Sequence, residues 1–147
     1  MAQIESSVKK MHFLEIMLLL SVLVATMVRY VFGYQPTFFL EIFTLGLALV
    51  YFPFGFYFIG KPTVVYSNTI SIILGFIYAL GALSLLISEV NIDSYRYPLI
   101  ADFFVLVALV VYLLFKMRSE EYPQTYVNAQ FLRVAFFIVT GLIILIA

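Results

Sequence analysis

Four charged side chains stand in strongly apolar sequence, and three of them are carboxylates. They are Arg29, Glu41, Glu89 and Asp102, which we call the outer cluster. Arg29 and Glu41 lie at equal distances from one turn-forming stretch, and Glu89 and Asp102 lie at nearly equal distances from another. Three acids and one base leave carboxylate charge unmatched. An unmatched carboxylate in a partly dry site can carry a proton or bind a cation, which is the chemistry this cluster offers.

A second candidate feature is formed by Glu15 and Arg133, which we call the inner pair. Each of these residues lies a few positions into an apolar segment, one in the first segment and the other in the last. Opposite charges at one depth of a membrane are expected to turn toward each other, because a charge that faces lipid is costly. The sequence therefore predicts an ion pair that ties the two ends of the chain together.

The sequence lacks the residues that most enzymatic and cofactor chemistry requires. The chain has no cysteine, which excludes thiolate metal sites, and a single histidine, His12, which removes the usual zinc sites. A glycine-rich phosphate loop and the HExxH and GxSxG motifs are absent as well. Glu89 and Asp102 could in principle do acid–base work, but no nucleophile or metal constellation accompanies them. We therefore expect a protein that is not an enzyme and that holds no metal or cofactor.

The composition indicates a membrane protein. Of 147 residues, 65% are hydrophobic and 11% are charged, and the mean hydropathy is +1.12. Water-soluble domains are about half apolar and a quarter charged, so a soluble domain of this composition would lack a polar surface. The formal net charge is zero and no basic arm is present, which argues against a nucleic-acid partner. Lipids are the expected surroundings.

Five apolar segments are each long enough to cross a bilayer, which takes about 20 residues. The stretches between them carry proline, glycine or charge, which break helices. We therefore predict an all-α bundle of five transmembrane helices with short loops, in one domain over residues 1–147. The last segment contains Arg133 and ends with the chain, so a bundle of four spans is the alternative. The five predicted spans are residues 11–32, 38–59, 66–88, 97–115 and 127–147.

Short loops also place the charges at defined depths. Two helices joined by a short turn run antiparallel, so residues equally far from the turn lie at one level. This rule puts the whole outer cluster in one layer. Three readings of that layer stay open: structural pairing or snorkelling of side chains to the headgroups, a functional polar pocket, and an interface with another protein.

The distribution of Lys and Arg predicts the orientation. Six of the eight lie at the ends of the segments on the N-terminal side, and the other two, Arg29 and Arg96, lie on the opposite side. The positive-inside rule then places the N-terminus in the cytoplasm and, for five spans, the C-terminus outside a cell inner membrane. A chain of four spans would have both ends in the cytoplasm.

The third segment carries small residues at every fourth position, namely Ser67, Ser71, Gly75 and Ala79. Such a ridge lets another helix backbone come close, which drives association of helices in lipid. We expect it to pack against neighbouring helices of this chain. A seam between two copies of the chain and a wall that faces a substrate are the alternatives.

The run "TFFLEIFTLGLALVYFPFGFYFIGKP" resembles a helical hairpin of small, largely uncharacterised multi-span membrane proteins of Bacteroidetes-type bacteria. The chain has "YQPT" where those relatives often have a Trp-Pro-Gly turn. The resemblance implies a bacterial inner membrane and brings no mechanism with it. The matching positions are Pro36, Gly46, Tyr51, Phe52, Pro53 and Gly55.

These observations favour a non-catalytic polytopic membrane protein, an accessory or assembly subunit that binds other membrane proteins through its helix faces. The alternative is a small transporter or channel-like protein that uses the carboxylates of the outer cluster. A third possibility is a lipid-binding module. Each possibility predicts a different interior: a packed core, a polar cavity that reaches the acids, or a lateral groove.

Overall fold

The computed structural model describes residues 2–34, 37–52, 68–90, 96–118 and 124–146. These residues form five helices, and no strand occurs among them. The side chains of 2–9 and of a few residues at other helix ends are outside the description. The helices are α1 (Ala2–Tyr30), α2 (Thr37–Tyr51), α3 (Asn68–Val90), α4 (Arg96–Arg118) and α5 (Gln124–Ile146).

Three of the helices are long and apolar enough to cross a membrane. Their apolar stretches are His12–Tyr30 in α1, Arg96–Lys116 in α4 and Tyr126–Ile146 in α5. The described apolar stretches of α2 and α3 are shorter, Phe38–Tyr51 and Ile72–Ser88. The last third of the predicted span 38–59, from residue 53 onward, lies outside the described residues. The all-helical fold is thus observed, with three candidate spans.

The helices form a closed ring. Each helix packs against the next one along the chain, α5 packs against α1, and α3 also reaches α5 across the ring. Two contacts give the relative direction of α1 and α2. Tyr51 meets Glu15, whereas Gly46, further from the end of α2, meets Leu18. The order of the contacts is reversed along the two helices, so they are antiparallel, as a short connection requires.

The described surface of the ring carries many large apolar side chains, whereas several polar side chains lie in its interior. Phe104, Phe115 and Leu132 are 68%, 67% and 62% exposed, whereas Arg133 is 4% exposed and Gln130 is fully buried. Many further Phe, Leu, Ile and Val side chains are exposed on every helix. A continuous apolar surface of this kind would aggregate in water and is the normal exterior of a protein in lipid. The structure therefore has the character of a membrane protein.

Three buried threonine hydroxyls are satisfied within their own helices. Thr26, Thr44 and Thr140 each donate a hydrogen bond to the carbonyl four residues earlier, at 2.8, 2.6 and 2.8 Å. This bond removes the cost of an unpaired donor in an apolar setting. The helices can thus carry threonine in their interior faces without any partner from another helix.

A glycine turn ends α1. Gly33 has φ of 72°, the left-handed conformation that residues with a Cβ atom rarely adopt. The turn lets the Tyr34 amide donate to the carbonyl of Val28 at 3.2 Å, which satisfies one of the free carbonyls at the helix end. This turn redirects the chain toward α2.

The structure describes part of the small-residue ridge of α3. Gly75 and Ala79 are buried. Ser67 and the side chain of Ser71 lie outside the described residues. The backbone of α3 therefore lies close to its neighbours along the described part of the ridge.

A second small residue of α3, Gly81, lies where three helices meet. A Cβ atom built on Gly81 would be 3.1 Å from Cε1 of Phe137 on α5 and 3.2 Å from Oδ2 of Asp102 on α4. Both distances are shorter than ordinary van der Waals contact. The absence of a side chain at Gly81 is therefore what allows α3, α4 and α5 to come this close.

We expect Gly81→Ala to lower the free energy of unfolding by about 1–3 kcal/mol, because the new methyl group overpacks this junction. Phe137 cannot easily move away, since its ring is packed against two tyrosines. The measurement is thermal or denaturant unfolding in detergent micelles. Gly141→Ala is the matched control: its Cβ would meet nothing within 4 Å, so we expect no loss, and a gain of up to about 1 kcal/mol from helix propensity. Equal effects at the two glycines would contradict the assignment of Gly81 as a packing contact.

Candidate functional site

A buried ion pair joins α1 to α5. Arg133 Nε donates to Glu15 Oε1 at 2.5 Å, and Arg133 Nη2 donates to Glu15 Oε2 at 2.8 Å. Glu15 is 6% exposed and Arg133 is 4% exposed. The two parallel bonds are the bidentate arrangement that a planar guanidinium makes with a carboxylate. The structure thus brings together the two residues of the inner pair.

The buried face of α5 explains why Arg133 points inward. Its buried residues recur every three or four positions, which is one face of a helix with 3.6 residues per turn. Arg133 belongs to this row and lies opposite the corresponding row of α1. The row includes Tyr126, Gln130, Arg133, Phe137, Thr140 and Ile144.

Two further side chains contact the carboxylate of Glu15. The hydroxyl of Tyr51 on α2 donates to Oε1 at 2.8 Å. Nδ1 of His12 lies 3.2 Å from Oε2, and this imidazole is about half exposed. Both oxygens of Glu15 therefore have contacts within the chain. The carboxylate is positioned by three helices and has its charge balanced by Arg133.

An aromatic cluster fills the centre of the ring beside this ion pair. The rings of Tyr51 and Tyr78 have centroids 5.3 Å apart, and Tyr78 stacks on Phe137 at 5.9 Å with an interplanar angle of 10°. Phe137 also packs against Tyr51 at 6.2 Å. The Tyr78 hydroxyl donates to Oε1 of Gln130 at 2.7 Å. Polar tips and stacked rings thus share one layer that spans α2, α3 and α5.

Sequence reasoning missed most of this layer. Tyr78 and Gln130 lie in apolar segments and were not singled out, although the amide of Gln130 precedes Arg133 by only three residues on the same helix face. That proximity is a signal that could have been used. Phe137 carries no signal, because nothing distinguishes it from the other phenylalanines of the chain.

One polar atom in this layer has no partner among the described residues. Nε2 of Gln130 is buried and forms no hydrogen bond there. A small cavity of ≈ 40 Å³ lies nearby between α1 and α5. Such a volume accommodates about one water molecule, whose share of liquid volume is about 30 Å³. The cavity is lined by His12, Glu15, Ile16, Leu19, Ala129, Leu132 and Arg133.

The outer cluster is not assembled into ion pairs in the described part of the chain. The guanidinium of Arg29 lies over the ring of the adjacent Tyr30, 5.3 Å from its centroid. Glu41 is half-buried and forms no ion pair or hydrogen bond with the described residues. Arg29 and Glu41, which the sequence predicts at one depth, thus form no ion pair with each other. The side chain of Glu89 lies outside the description.

Asp102 is the acid of this cluster that points into the bundle. Its carboxylate rests against Gly81 of α3 and close to Phe137. Leu99 and Leu106, one turn to either side on α4, are buried, so Asp102 shares the interior face of that helix. No ion pair of Asp102 with another described residue is observed. This carboxylate therefore lies on the interior side of α4, at the junction with α3 and α5.

The described residues offer no metal site. No group of three His, Cys, Asp or Glu side chains comes close enough there to hold a metal ion. In this site Arg133 neutralises the charge of Glu15, and the contacts of Glu15 hold three helices in register. That arrangement stabilises the packing of the three helices.

No protein-family model, curated protein or solved structure matches this chain. The function is therefore argued from the geometry of the helices and from the chemistry of their surfaces.

Proposed function

We propose that this protein is a non-catalytic, multi-pass membrane protein that binds other membrane proteins through its helix faces, as an accessory or assembly subunit. The observation that carries the proposal is that the interior is filled by a neutralised ion pair and by stacked aromatic rings. Glu15 and Arg133 neutralise each other, and the stacked rings of Tyr51, Tyr78 and Phe137 fill the space beside them. Charges that are used within the chain are not free for substrates.

The cavities of the described residues agree with this proposal. Two of them, of ≈ 450 and ≈ 350 Å³, are surface grooves between helices with almost wholly apolar linings. Neither is lined by Glu41 or Asp102. A transporter needs a polar path that reaches its ionisable groups. Apolar helix surfaces, by contrast, are what a membrane subunit offers to a partner.

The proposal includes five spans in a bacterial inner membrane, with the N-terminus in the cytoplasm. Tyr51 of α2 and Tyr78 of α3 lie in the same layer as residues of α1 and α5, which are long enough to span. Two helices that close a ring with candidate spans, and that pack at that level, belong in the bilayer themselves. The excess of Lys and Arg on the N-terminal side supports the orientation.

Site-specific photo-crosslinking in cells tests the proposed partner. A photoreactive residue is placed at one exposed position on each helix and, as a control, at buried Leu106. We expect adducts with one and the same membrane protein from neighbouring helices and none from Leu106. Adducts with lipid alone at every exposed position would overturn the proposal. The exposed positions are Val24, Leu45, Leu80, Phe104 and Leu132.

One observation favours a second candidate function, a small transporter. Asp102 faces the interior of the bundle, where a carboxylate without an ion pair can bind a proton or a cation. In that case Asp102→Asn would abolish proton or cation flux into proteoliposomes and leave the protein folded. Glu41→Gln, at the half-buried acid of α2, is the matched control. Equal flux in both variants and in empty liposomes excludes this function.

A further inference from the structure

The carboxyl group of Asp102 lies at the junction of α3, α4 and α5, between two residues that carry no ionisable side chain. A Cβ atom built on Gly81 would be 3.2 Å from Oδ2 of Asp102 and 3.1 Å from the ring of Phe137. That spacing leaves no room for a water molecule between Oδ2 and the backbone of Gly81. One carboxyl oxygen is therefore packed against a helix backbone and beside an aromatic ring.

The ionisable side chains of α3 are engaged elsewhere or lie further along the helix. The nearest to the junction is Tyr78, three residues before Gly81, and its hydroxyl donates to Gln130 at 2.7 Å. Glu89 follows Gly81 by eight residues, which is about 12 Å along the helix axis. The face of α3 at the junction thus offers Asp102 a glycine and no counter-ion.

The same holds for α5 and for α4 itself. Arg133, four residues before Phe137, is bound to Glu15 through Nε and Nη2. On α4, Arg96 precedes Asp102 by six residues, or about 9 Å along the axis. Five or more residues from Asp102 or Phe137 along these two helices lie Tyr97, Tyr112, Lys116, Arg118 and Tyr126.

The two protonation states of this carboxyl group therefore differ in cost. An ionised carboxylate that has lost its water is costly without a counter-ion, whereas the neutral acid has only one O–H group to satisfy. A divalent metal ion would also remove the charge, but it takes about six or more ligands. No group of three acidic or histidine side chains comes together in the described part of the chain. A proton needs a single oxygen, so the junction favours a proton.

We propose that Asp102 binds a proton in the folded protein, and that this proton controls how closely α4 packs against α3 and α5. With the proton, the neutral carboxyl group fits against Gly81 and Phe137. Without it, the carboxylate has to reach water or a counter-ion, and α4 has to shift away from the junction. The proton stays in the junction, so the inference depends neither on the proposed protein partner nor on ion flux.

The test compares the unfolding of the native protein with that of Asp102→Asn in the same detergent, from about pH 4 upward. Asparagine has nearly the shape of the protonated acid and is neutral at every pH. An unfolded aspartate ionises at about pH 3.9, whereas the folded protein keeps the proton to higher pH. The contribution of Asp102 to stability is therefore fully present at low pH and is lost as the pH rises.

We expect the equilibrium constant of unfolding of the native protein, relative to Asp102→Asn, to rise by up to about tenfold per pH unit above about pH 4. The rise ends where the folded protein loses the proton as well. Glu41→Gln, at the half-buried acid of α2, is the matched control and should keep the pH dependence of the native protein. A ratio of native protein to Asp102→Asn that does not change with pH overturns the proposal.

Infrared spectroscopy detects the proton directly and does not depend on how the variants unfold. A protonated carboxyl group has a C=O stretching band that an ionised carboxylate lacks. At about pH 6, where an ordinary aspartate is ionised, we expect this band in the native protein and in Glu41→Gln, and its loss in Asp102→Asn. Absence of the band from the native protein, or a band of equal intensity in Asp102→Asn, contradicts the assignment.

Discussion

Glu15→Gln is expected to lower the free energy of unfolding by about 3–5 kcal/mol, since it leaves Arg133 buried without a counter-ion. Glutamine keeps the size of the side chain and one oxygen acceptor. It removes the negative charge that offsets the desolvation of a guanidinium only 4% exposed. The bidentate contact also loses one of its two acceptors. The loss is therefore mainly electrostatic.

Denaturant or thermal unfolding in mild detergent measures this loss, and Glu41→Gln is the matched control. Glu41 undergoes the same chemical change on α2, is half-buried and has no ion pair with the described residues. We expect its substitution to change stability by less than about 1 kcal/mol.

The double variant Glu15→Gln with Arg133→Gln separates the charge effect from the packing effect. Removing both charges should recover much of the stability lost in Glu15→Gln, because a buried pair replaced as a unit is often close to neutral. A double variant less stable than the single variant, or a Glu15→Gln protein as stable as Glu41→Gln, would show that the ion pair contributes little.

Phe137→Ala is the second substitution expected to have a large effect. The ring of Phe137 stacks on Tyr78, packs against Tyr51 and contacts the junction at Gly81. In lipid the transfer of apolar surface contributes little, because acyl chains are as apolar as the core. The remaining cost is the cavity, about 24 cal/mol per Å³, or about 2 kcal/mol for roughly 100 Å³ of lost side chain, plus about 1 kcal/mol for the lost ring pairs.

Phe104→Ala provides the comparison for Phe137→Ala. Phe104 is 68% exposed on the outside of α4, where detergent or lipid fills the space that the ring leaves. We expect a change of less than about 0.5 kcal/mol there. Unfolding curves of the two variants in the same detergent make the comparison. If the two substitutions lower the free energy of unfolding by the same amount, the aromatic layer is not a stabilising core.

The ion pair and the aromatic layer have complementary roles in the ring. Apolar helix faces resemble each other, so they specify poorly which helices become neighbours and in what register. The bidentate contact between Glu15 and Arg133 defines the position of α5 against α1. The stacked rings then fix α2 and α3 against α5. A ring closed in this way leaves the outer helix faces exposed.

The sequence by itself determined the helical class and the apolar character, and it predicted the depth of the charged residues. Helix rise is constant, so counting residues from a turn or a segment end gives the level of a side chain in the membrane. That reasoning brought Glu15 and Arg133 to one level, and the structure joins them. It placed Arg29 and Glu41 at one level too, yet these two do not pair.

The tertiary structure decided which helices are neighbours and how each helix is rotated about its own axis. Depth is one coordinate, and a contact also requires that two helices be adjacent and turned toward each other. Arg29 lies over Tyr30, whereas Arg133 belongs to the buried row of α5. The meeting of Gly81, Asp102 and Phe137 joins three helices that are far apart in sequence. Local spacing carries no information on such a contact, because it arises only when the ring of helices closes.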